Sequence, residues 1–436
     1  MAERPLSPGR TLGYLTVFQI MMAVQCIPGR EVQQVVMIAG AFAILMAAMW
    51  VTYLIYRSMK RTAFEVETIA FFLCTLSFAV AAAYDPSNLL TQTICVIAGI
   101  VVFLVLSVLL RDLKSTVSLR WPVAIFTCLL LIFNVLFGSQ LFGARNWIHI
   151  GPIGFQPSEF VKIAFIFTGA ATLDRLFRKR NLGLFILLTG VCLACLAYMS
   201  DFGTAAIFFV TFLVIAYLRS GDWATLALIC GGGVFAVLTM LSLKPYILQR
   251  FATWGHAWQN ASVGSGYQQT RTMSAAASGG LVGWAPARAG STPWARGTPT
   301  WYSGMLCEEW GLIIALLAVL SILTLAVFAV RACRAGRSSF YVIAACAATS
   351  MMVFQTCLNV FGAVDILPLT GVTFPFVSNG GTAMIASWGL LAFLKATDTR
   401  QNASFAIRLP SRREDRRGAA LAPKSTDEWE ADDEED

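Results

Sequence analysis

Residues 88–110 read NLLTQTICVIAGIVVFLVLSVLL, a run without one Asp, Glu, Lys or Arg. An α-helix needs roughly 20 mostly apolar residues to cross the hydrocarbon core of a bilayer. This stretch is long enough, and it has companions. Further apolar runs lie near 11–27, 35–56, 68–84, 121–137, 158–174, 183–199, 203–218, 223–242, 311–330, 339–362 and 376–396, giving about twelve candidate spans. They are continuous and do not alternate with period two, so a barrel is excluded. A helix satisfies its own backbone in lipid. The expected fold class is therefore all-α, a polytopic transmembrane helical bundle.

Composition agrees. Of the 436 residues, 57% are hydrophobic and 13% charged, and 34 glycines are counted separately. A soluble domain reaches about 45–50% apolar with Gly included. Mean hydropathy is +0.68. Disorder, a secreted disulfide scaffold and a nucleic-acid-binding domain are excluded as the main character. Nearly all of the eleven cysteines lie within or at the ends of apolar runs, where they behave as small hydrophobes. Cys192 and Cys195 form a C-x-x-C inside such a run, which suits packing better than redox chemistry. No A-x-A-like cleavage site follows the first apolar run, so it reads as an uncleaved helix.

Short loops rich in Lys and Arg set orientation. Arg57, Lys60 and Arg61 share one loop, and Arg111, Lys114 and Arg120 a second. Arg175, Arg178, Lys179 and Arg180 share a third, and Arg331, Arg334 and Arg337 a fourth. Counting spans, all four fall on the side of the N-terminus, so both termini are expected in the cytoplasm and the long loop 243–310 outside. The intervening short loops carry little beyond Arg30 and Arg145. The net charge of +8 is mostly this bias and implies no nucleic-acid partner. Residues 1–398 form the expected membrane domain. Residues 399–436 read as a disordered cytoplasmic tail, basic and then acidic; its basic part either touches anionic lipid or anchors topology.

The chain has two histidines, His149 and His256, and no metal-ligand cluster in its sequence. No phosphate-cradling glycine loop follows a strand. Gly231–Gly233 lie in an apolar run and suit close helix packing. The hydropathy pattern does not visibly repeat between halves, which disfavours a two-repeat transporter.

Three segments put polar groups at the membrane boundary. In the first, from Gly143 to Lys162, Pro157 suits a helix start. Glu159 sits near the positive end of that helix dipole, and Lys162, three residues on, shares its face. The two either pair structurally or present an anion site. In the second, Asp201 in Ser200–Thr204 either caps the next helix or faces a wet cavity. In the third, Asp365–Gly381, prolines and glycines interrupt the chain between two apolar runs. Irregular backbone at membrane depth needs protein or a wet cavity around it, and a cavity opening outward is expected. Glu308 and Glu309, read as beginning the helix before it, either line that space or complement a helix dipole. The loop 243–310 is rich in Trp, Tyr, Gly and Ser and carries Arg250, Arg271, Arg288 and Arg296. Such arginines suit a diphosphate-bearing ligand; the alternative is an interfacial lid without one.

In this order the segments resemble the SEDS family of bacteria, the FtsW, RodA and SpoVE group. The resemblance rests on W-I-x-x-G and Q-P-S-E-F-x-K (Trp147 to Lys162), D-x-G-T-A (Asp201 to Ala205), G-Y-Q (Gly266 to Gln268) and S-G-G-L-x-G (Ser278 to Gly283). It continues through E-E-x-G (Glu308 to Gly311) and N-x8-P-x-T-G-x-x-x-P-F-x-S-x-G-G (Asn359 to Gly381). It covers roughly 121–396. It implies a role in division, elongation or sporulation, as a glycosyltransferase that polymerises lipid II beside a class B penicillin-binding protein in the cytoplasmic membrane. It implies no cofactor, although a divalent cation could accompany the diphosphate. It places Glu159, Lys162 and Asp201 along a central cavity with Arg145 at its mouth. Trp147, Arg250, Gln268 and Ser378 complete the expected substrate-binding set.

The sequence departs from that family in three ways. The resemblance places the family's catalytic aspartate eight residues before Glu308, the first of the E-E-x-G pair, where this chain has Thr300. A G-x-G-x-G run after S-G-G-L-x-G is broken. About two extra spans precede residue 121. A threonine hydroxyl is no base near neutral pH, and loss of a positioned general base costs about 10²–10⁴-fold in rate. Glu308, Glu309, Asp201 and Asp365 are the candidate substitutes. Three readings follow: a weak lipid II polymerase, a non-catalytic scaffold that binds lipid II and activates its partner, or a flippase.

Overall fold

The computed structural model describes residues 7–61, 63–141, 144–150, 153–173, 179–243, 253–262, 264–284, 301–334 and 338–398. The described residues are mostly helical, as the apolar runs require. Helices α1 (Pro8–Gln25), α2 (Val32–Ser58), α3 (Glu65–Tyr84), α4 (Leu89–Leu109), the short α5 (Leu113–Ser118) and α6 (Arg120–Phe137) come first. Then follow α7 (Pro157–Leu173), α8 (Lys179–Tyr198), α9 (Phe202–Ser220) and α10 (Trp223–Leu243). After α11 (Gly264–Gly279), the chain ends its described part with α12 (Tyr302–Arg334), α13 (Ser339–Ala363) and α14 (Gly381–Thr397). Eight of these helices are long and apolar enough to cross a membrane. Helices also occupy the remaining expected spans, as α1, α7, α10 and α14.

Small side chains decide which helices sit inside. Ala79 to Ala83 are almost wholly buried on α3, where small residues let helices approach closely. On α14, Trp388 is fully buried, with the rings of Phe71, Phe103 and Phe376 at 5.1, 5.7 and 5.7 Å. Here α14 packs against α4, α7 and α13. By contrast, α6 exposes Leu129, Leu136 and Phe137, and α10 exposes Leu228 and Phe235, the outer faces that lipid solvates. Within the Gly231–Gly233 run, Gly233 is the close approach, set against the ring of Phe209.

Three features differ from a bundle of helices and loops alone. A three-stranded antiparallel sheet, β1 (Ser139–Leu141), β2 (Ala144–Ile150) and β3 (Ile153–Phe155), joins α6 to α7. Trp147 and Ile148 are strand formers, and β2 alternates between buried Asn146 and Ile148 and half-buried Trp147. The loop after α10 contains a helix, α11, packed on α12. Finally, α12 is broken at Gly311, which has φ 83° and ψ 168°.

Candidate functional site

Three irregular segments gather at one end of the bundle: the strands β1 to β3, the turn 199–201 and the segment 364–380. We call this the site end; the opposite end carries the loops with Arg57 and Arg111.

Glu159 lies in the first turn of α7, which Pro157 begins. It is 3% exposed and Lys162 is 1% exposed. Lys162 Nζ stands 2.7 Å from Glu159 Oε1 and donates a second bond, 3.2 Å, to Gln355 Oε1 on α13. Gln355 Nε2 in turn donates to the Thr373 carbonyl at 2.9 Å and to its Oγ1 at 2.8 Å. One turn further along α13, Asn359 Nδ2 donates to the Val372 carbonyl at 2.7 Å. Ser378 Oγ accepts from the Phe374 amide at 2.8 Å. An ion pair out of water survives when further hydrogen bonds satisfy its members, and Gln355 does so here. The irregular segment is itself buried from Val372 to Ser378, so this stretch is enclosed by protein. Sequence reading missed Gln355, although an amide four residues before Asn359 in an apolar run was a signal.

Asp201 satisfies both of its oxygens. Oδ1 accepts from the Thr204 amide at 3.1 Å, capping α9, and Oδ2 accepts from Asn146 Nδ2 at 2.6 Å. The Arg145 amide donates to the Met199 carbonyl at 2.8 Å, so β2 is stitched to the turn at two points. A Cβ on Gly203 would stand 2.6 Å from Val372 Cγ2, so the start of α9 lies against the same segment that holds Gln355. The structure therefore brings Asp201 and the Glu159–Lys162 pair to one segment. Among the described residues no hydrogen bond joins them directly. Asn146, which sequence reading also missed, should matter as much as a charge-assisted bond does, about 1.5–3 kcal/mol. Asn146→Ala should lower the thermal unfolding midpoint in detergent, and an unchanged midpoint would remove Asn146 from this role.

Asp365 has φ 61° and accepts from three donors: the Gly255 amide at 3.0 Å, the Ala257 amide at 3.2 Å and Gln269 Nε2 at 3.2 Å. It ties residues 255–257 and α11 to the end of α13. The partner is Gln269. Gln268, its neighbour in the G-Y-Q motif, is half-buried and offers its carbonyl to Thr272 Oγ1 at 2.9 Å.

Glu308 and Glu309 do not begin a helix. They lie at the end of the segment Tyr302–Trp310, just before the break at Gly311. The first amides beyond the break are taken by carbonyls, Leu312 to Gly280 at 3.0 Å and Ile313 to Leu281 at 3.3 Å. The Trp284 amide donates to the Glu308 carbonyl at 3.0 Å. The S-G-G-L-x-G and E-E-x-G motifs thus embrace backbone to backbone, and a Cβ on Gly279, Gly283 or Gly311 would overlap the opposite main chain. Tyr84 OH donates to Glu308 Oε2 at 2.6 Å. Glu308 is half-buried and Glu309 is 1% exposed.

Arg145 is exposed at the site end and Trp147 half-buried beside it, its carbonyl accepting from Ser139 Oγ at 2.7 Å. Arg250, Thr300 and the tail 399–436 lie outside the described residues. Among the described residues, no group of three His, Cys, Asp or Glu side chains could hold a metal ion.

A many-helix membrane bundle that keeps a Glu–Lys pair dry inside, clamped to a Pro- and Gly-interrupted segment near one face, defines the class. The chain belongs to the FtsW/RodA/SpoVE family of cell cycle proteins, whose family model matches residues 66–403. It is 29% identical over 280 residues to a probable peptidoglycan glycosyltransferase FtsW of Moranella endobia, covering 60% of this chain and 72% of that one. It is 25% identical over 323 residues to the peptidoglycan glycosyltransferase RodA of Mycobacterium leprae, covering 70% and 68%. Among solved structures it resembles a chain of a peptidoglycan synthase complex, with a TM-score of 0.63 and 25% identity over 77% of this chain and 98% of that one. A mutant form of the rod shape determining protein RodA of Thermus thermophilus shares the fold, with a TM-score of 0.58, 24% identity and coverage of 78% and 98%.

Proposed function

We propose that this cell-wall-synthesis protein binds lipid II at the site end, facing outward from the bacterial cytoplasmic membrane, and acts with a class B penicillin-binding protein in forming glycan strands. One observation carries the reading: the buried Glu159–Lys162 pair, bonded through Gln355 to Thr373 beside Asp201, on a fold matched to a chain of a peptidoglycan synthase complex. Buried charge in a membrane protein is expensive and marks function by default. Both termini are then cytoplasmic. Arg145 and Trp147 at the surface, with Arg250, Gln268 and Ser378, complete the proposed substrate contacts. A divalent cation, if used, would arrive with the diphosphate.

Catalysis is the finer question. Thr300 stands in the place of the family aspartate. Of the four acids that could replace it, Asp201 and Asp365 have their oxygens committed to backbone and amide donors, and Glu309 is buried. Glu308 is half-buried with Oε2 bonded to Tyr84, which makes it the best-placed substitute. The same bonding favours the second reading, a lipid II-binding scaffold that activates its partner. The test gives the purified chain and its cognate penicillin-binding protein labelled lipid II. The wild type should form about 10²–10⁴-fold less polymer than an aspartate-bearing homologue. Thr300→Asp should raise the yield, and Glu308→Gln should abolish what remains. Wild-type polymer equal to the homologue's would refute weak catalysis. Failure of lipid II to bind at all would sink the whole reading, and uptake of fluorescent lipid II by proteoliposomes would favour a flippase.

A further inference from the structure

The eleven cysteines are all free, and a buried thiol packs as a small hydrophobe. The C-x-x-C on α8 follows that rule, with Cys192 wholly buried. The fold brings a different pair together, thirteen residues apart in the chain: Cys333 Sγ and Cys346 Sγ stand 3.5 Å from one another. Cys333 is the penultimate residue of α12, and Cys346 lies about two turns inside α13. Cys333 Sγ also lies 3.8 Å from the Val342 carbonyl, so the end of α12 leans on the start of α13. Neither thiol is sealed in the core, since both are half-buried. Arg331 and Arg334 are exposed in the same last turn of α12. Arginines at the end of a membrane helix carry their charge to the water boundary, so Cys333 sits where a water-soluble reagent arrives. This end lies opposite the site end and is cytoplasmic in the proposed orientation.

Two sulfurs already in contact need to close by only about 1.5 Å to reach bonding distance, and rotation about the two χ1 angles supplies motion of that size. We propose that Cys333 and Cys346 form a dithiol modification site, oxidised by a low-molecular-weight disulfide to an intramolecular bond that staples α12 to α13. The step balances as thiol–disulfide exchange. Cys333 gives its proton to solvent, and its thiolate attacks one sulfur of the reagent. The reagent's S–S bond breaks, and one half leaves and is protonated to a thiol. The Cys346 thiolate then attacks the Cys333 sulfur of the mixed disulfide, and the second half leaves in the same way. Two protons pass from the protein to the two released thiols, and the protein's two electrons reduce the reagent's S–S bond. Excess thiol reverses both steps. Disulfides facing the cytosol are as a rule transient and redox-sensing, and such sites set an accessible cysteine beside a resolving one. Here Cys333 attacks and Cys346 resolves. The staple joins the two helices that carry Glu308 and Gln355 to the site end.

The test uses the full chain in nanodiscs with oxidised glutathione as the reagent. It needs no lipid II, so it stands or falls apart from the polymerisation reading. After treatment the remaining thiols are alkylated, and the protein is digested with trypsin and chymotrypsin without reduction. Cleavage at Arg331 and Arg334 leaves Cys333 on a tripeptide, and cleavage at Phe354 separates Cys346 from Cys357. Mass spectrometry should find the Cys333 and Cys346 peptides joined, roughly tenfold or more above any other cysteine pair, because oxidation is site-selective. Dithiothreitol should part them. Cys346→Ser should stop at a glutathione adduct on Cys333, and Cys333→Ser should leave Cys346 alkylated. The wild type alone decides the matter, so no variant has to fold for the proposal to fail. Full alkylation of both thiols after the oxidant overturns it, as does a glutathione adduct that stays on Cys333 in the wild type. Linkage confined to a dimer band on a non-reducing gel would mean a bond between chains and would overturn it equally.

Discussion

Lys162→Met should cost about 3–5 kcal/mol of stability, because it strips the partner from a carboxylate that cannot reach water. Glu159 is 3% exposed, and its one ion-pair contact is the 2.7 Å bond to Lys162. Gln355 would also lose the donor to its Oε1. The double variant Glu159→Gln/Lys162→Met carries no buried charge and should recover most of the loss, since replacing a whole buried pair by neutral groups is often close to neutral. Thermal unfolding in detergent reads both. Equal losses in the single and double variants would mean that the pair is not coupled. Under the proposed function the double variant is folded but no longer binds lipid II, which separates stability from recognition.

Gly311→Ala should fail to give monodisperse protein. At φ 83° and ψ 168° the backbone lies in a region essentially confined to glycine, which costs any other residue about 1–3 kcal/mol. The added Cβ would also overlap the carbonyl of Leu281, and main chain cannot step aside as a side-chain tip can. Gly371→Ala is the internal comparison. Its φ is 76° but nothing lies within 4 Å of the new Cβ, so it should pay the conformational cost alone and remain foldable. Size-exclusion profiles of the two variants decide the matter. Similar behaviour would mean that the close embrace of the two glycine motifs is not what fixes the break in α12.

The glycines show why some of the site was legible and some was not. S-G-G-L-x-G and E-E-x-G are separated by 24 residues, from Gly283 to Glu308, and nothing in their spacing says that they touch. Each glycine is required by the other motif's main chain, a relation that exists only once α11 and α12 are packed. Asp201 was legible in part. A turn acid before a helix reads as a cap, and it is one; that its second oxygen belongs to Asn146 depends on β2, which no helical periodicity announces. Asp365 stood out as an acid in an interrupted segment. Its partners, the Gly255 and Ala257 amides and Gln269, come from a loop about a hundred residues earlier in the chain.

The sequence by itself determined the solvent, the helical class and nearly every span, because hydrophobic length is a local property and lipid leaves helices as the only answer to continuous apolar runs. It also determined the identity of the Glu159–Lys162 pair, since three residues on a helix place two side chains on one face. The tertiary structure alone decided what those charges lean on: Gln355 behind Lys162 and Asn146 behind Asp201. Those partners come from helices and strands far apart in the chain. Which of them meet is set by how small and large side chains interlock between helices, and that information is spread over the whole bundle.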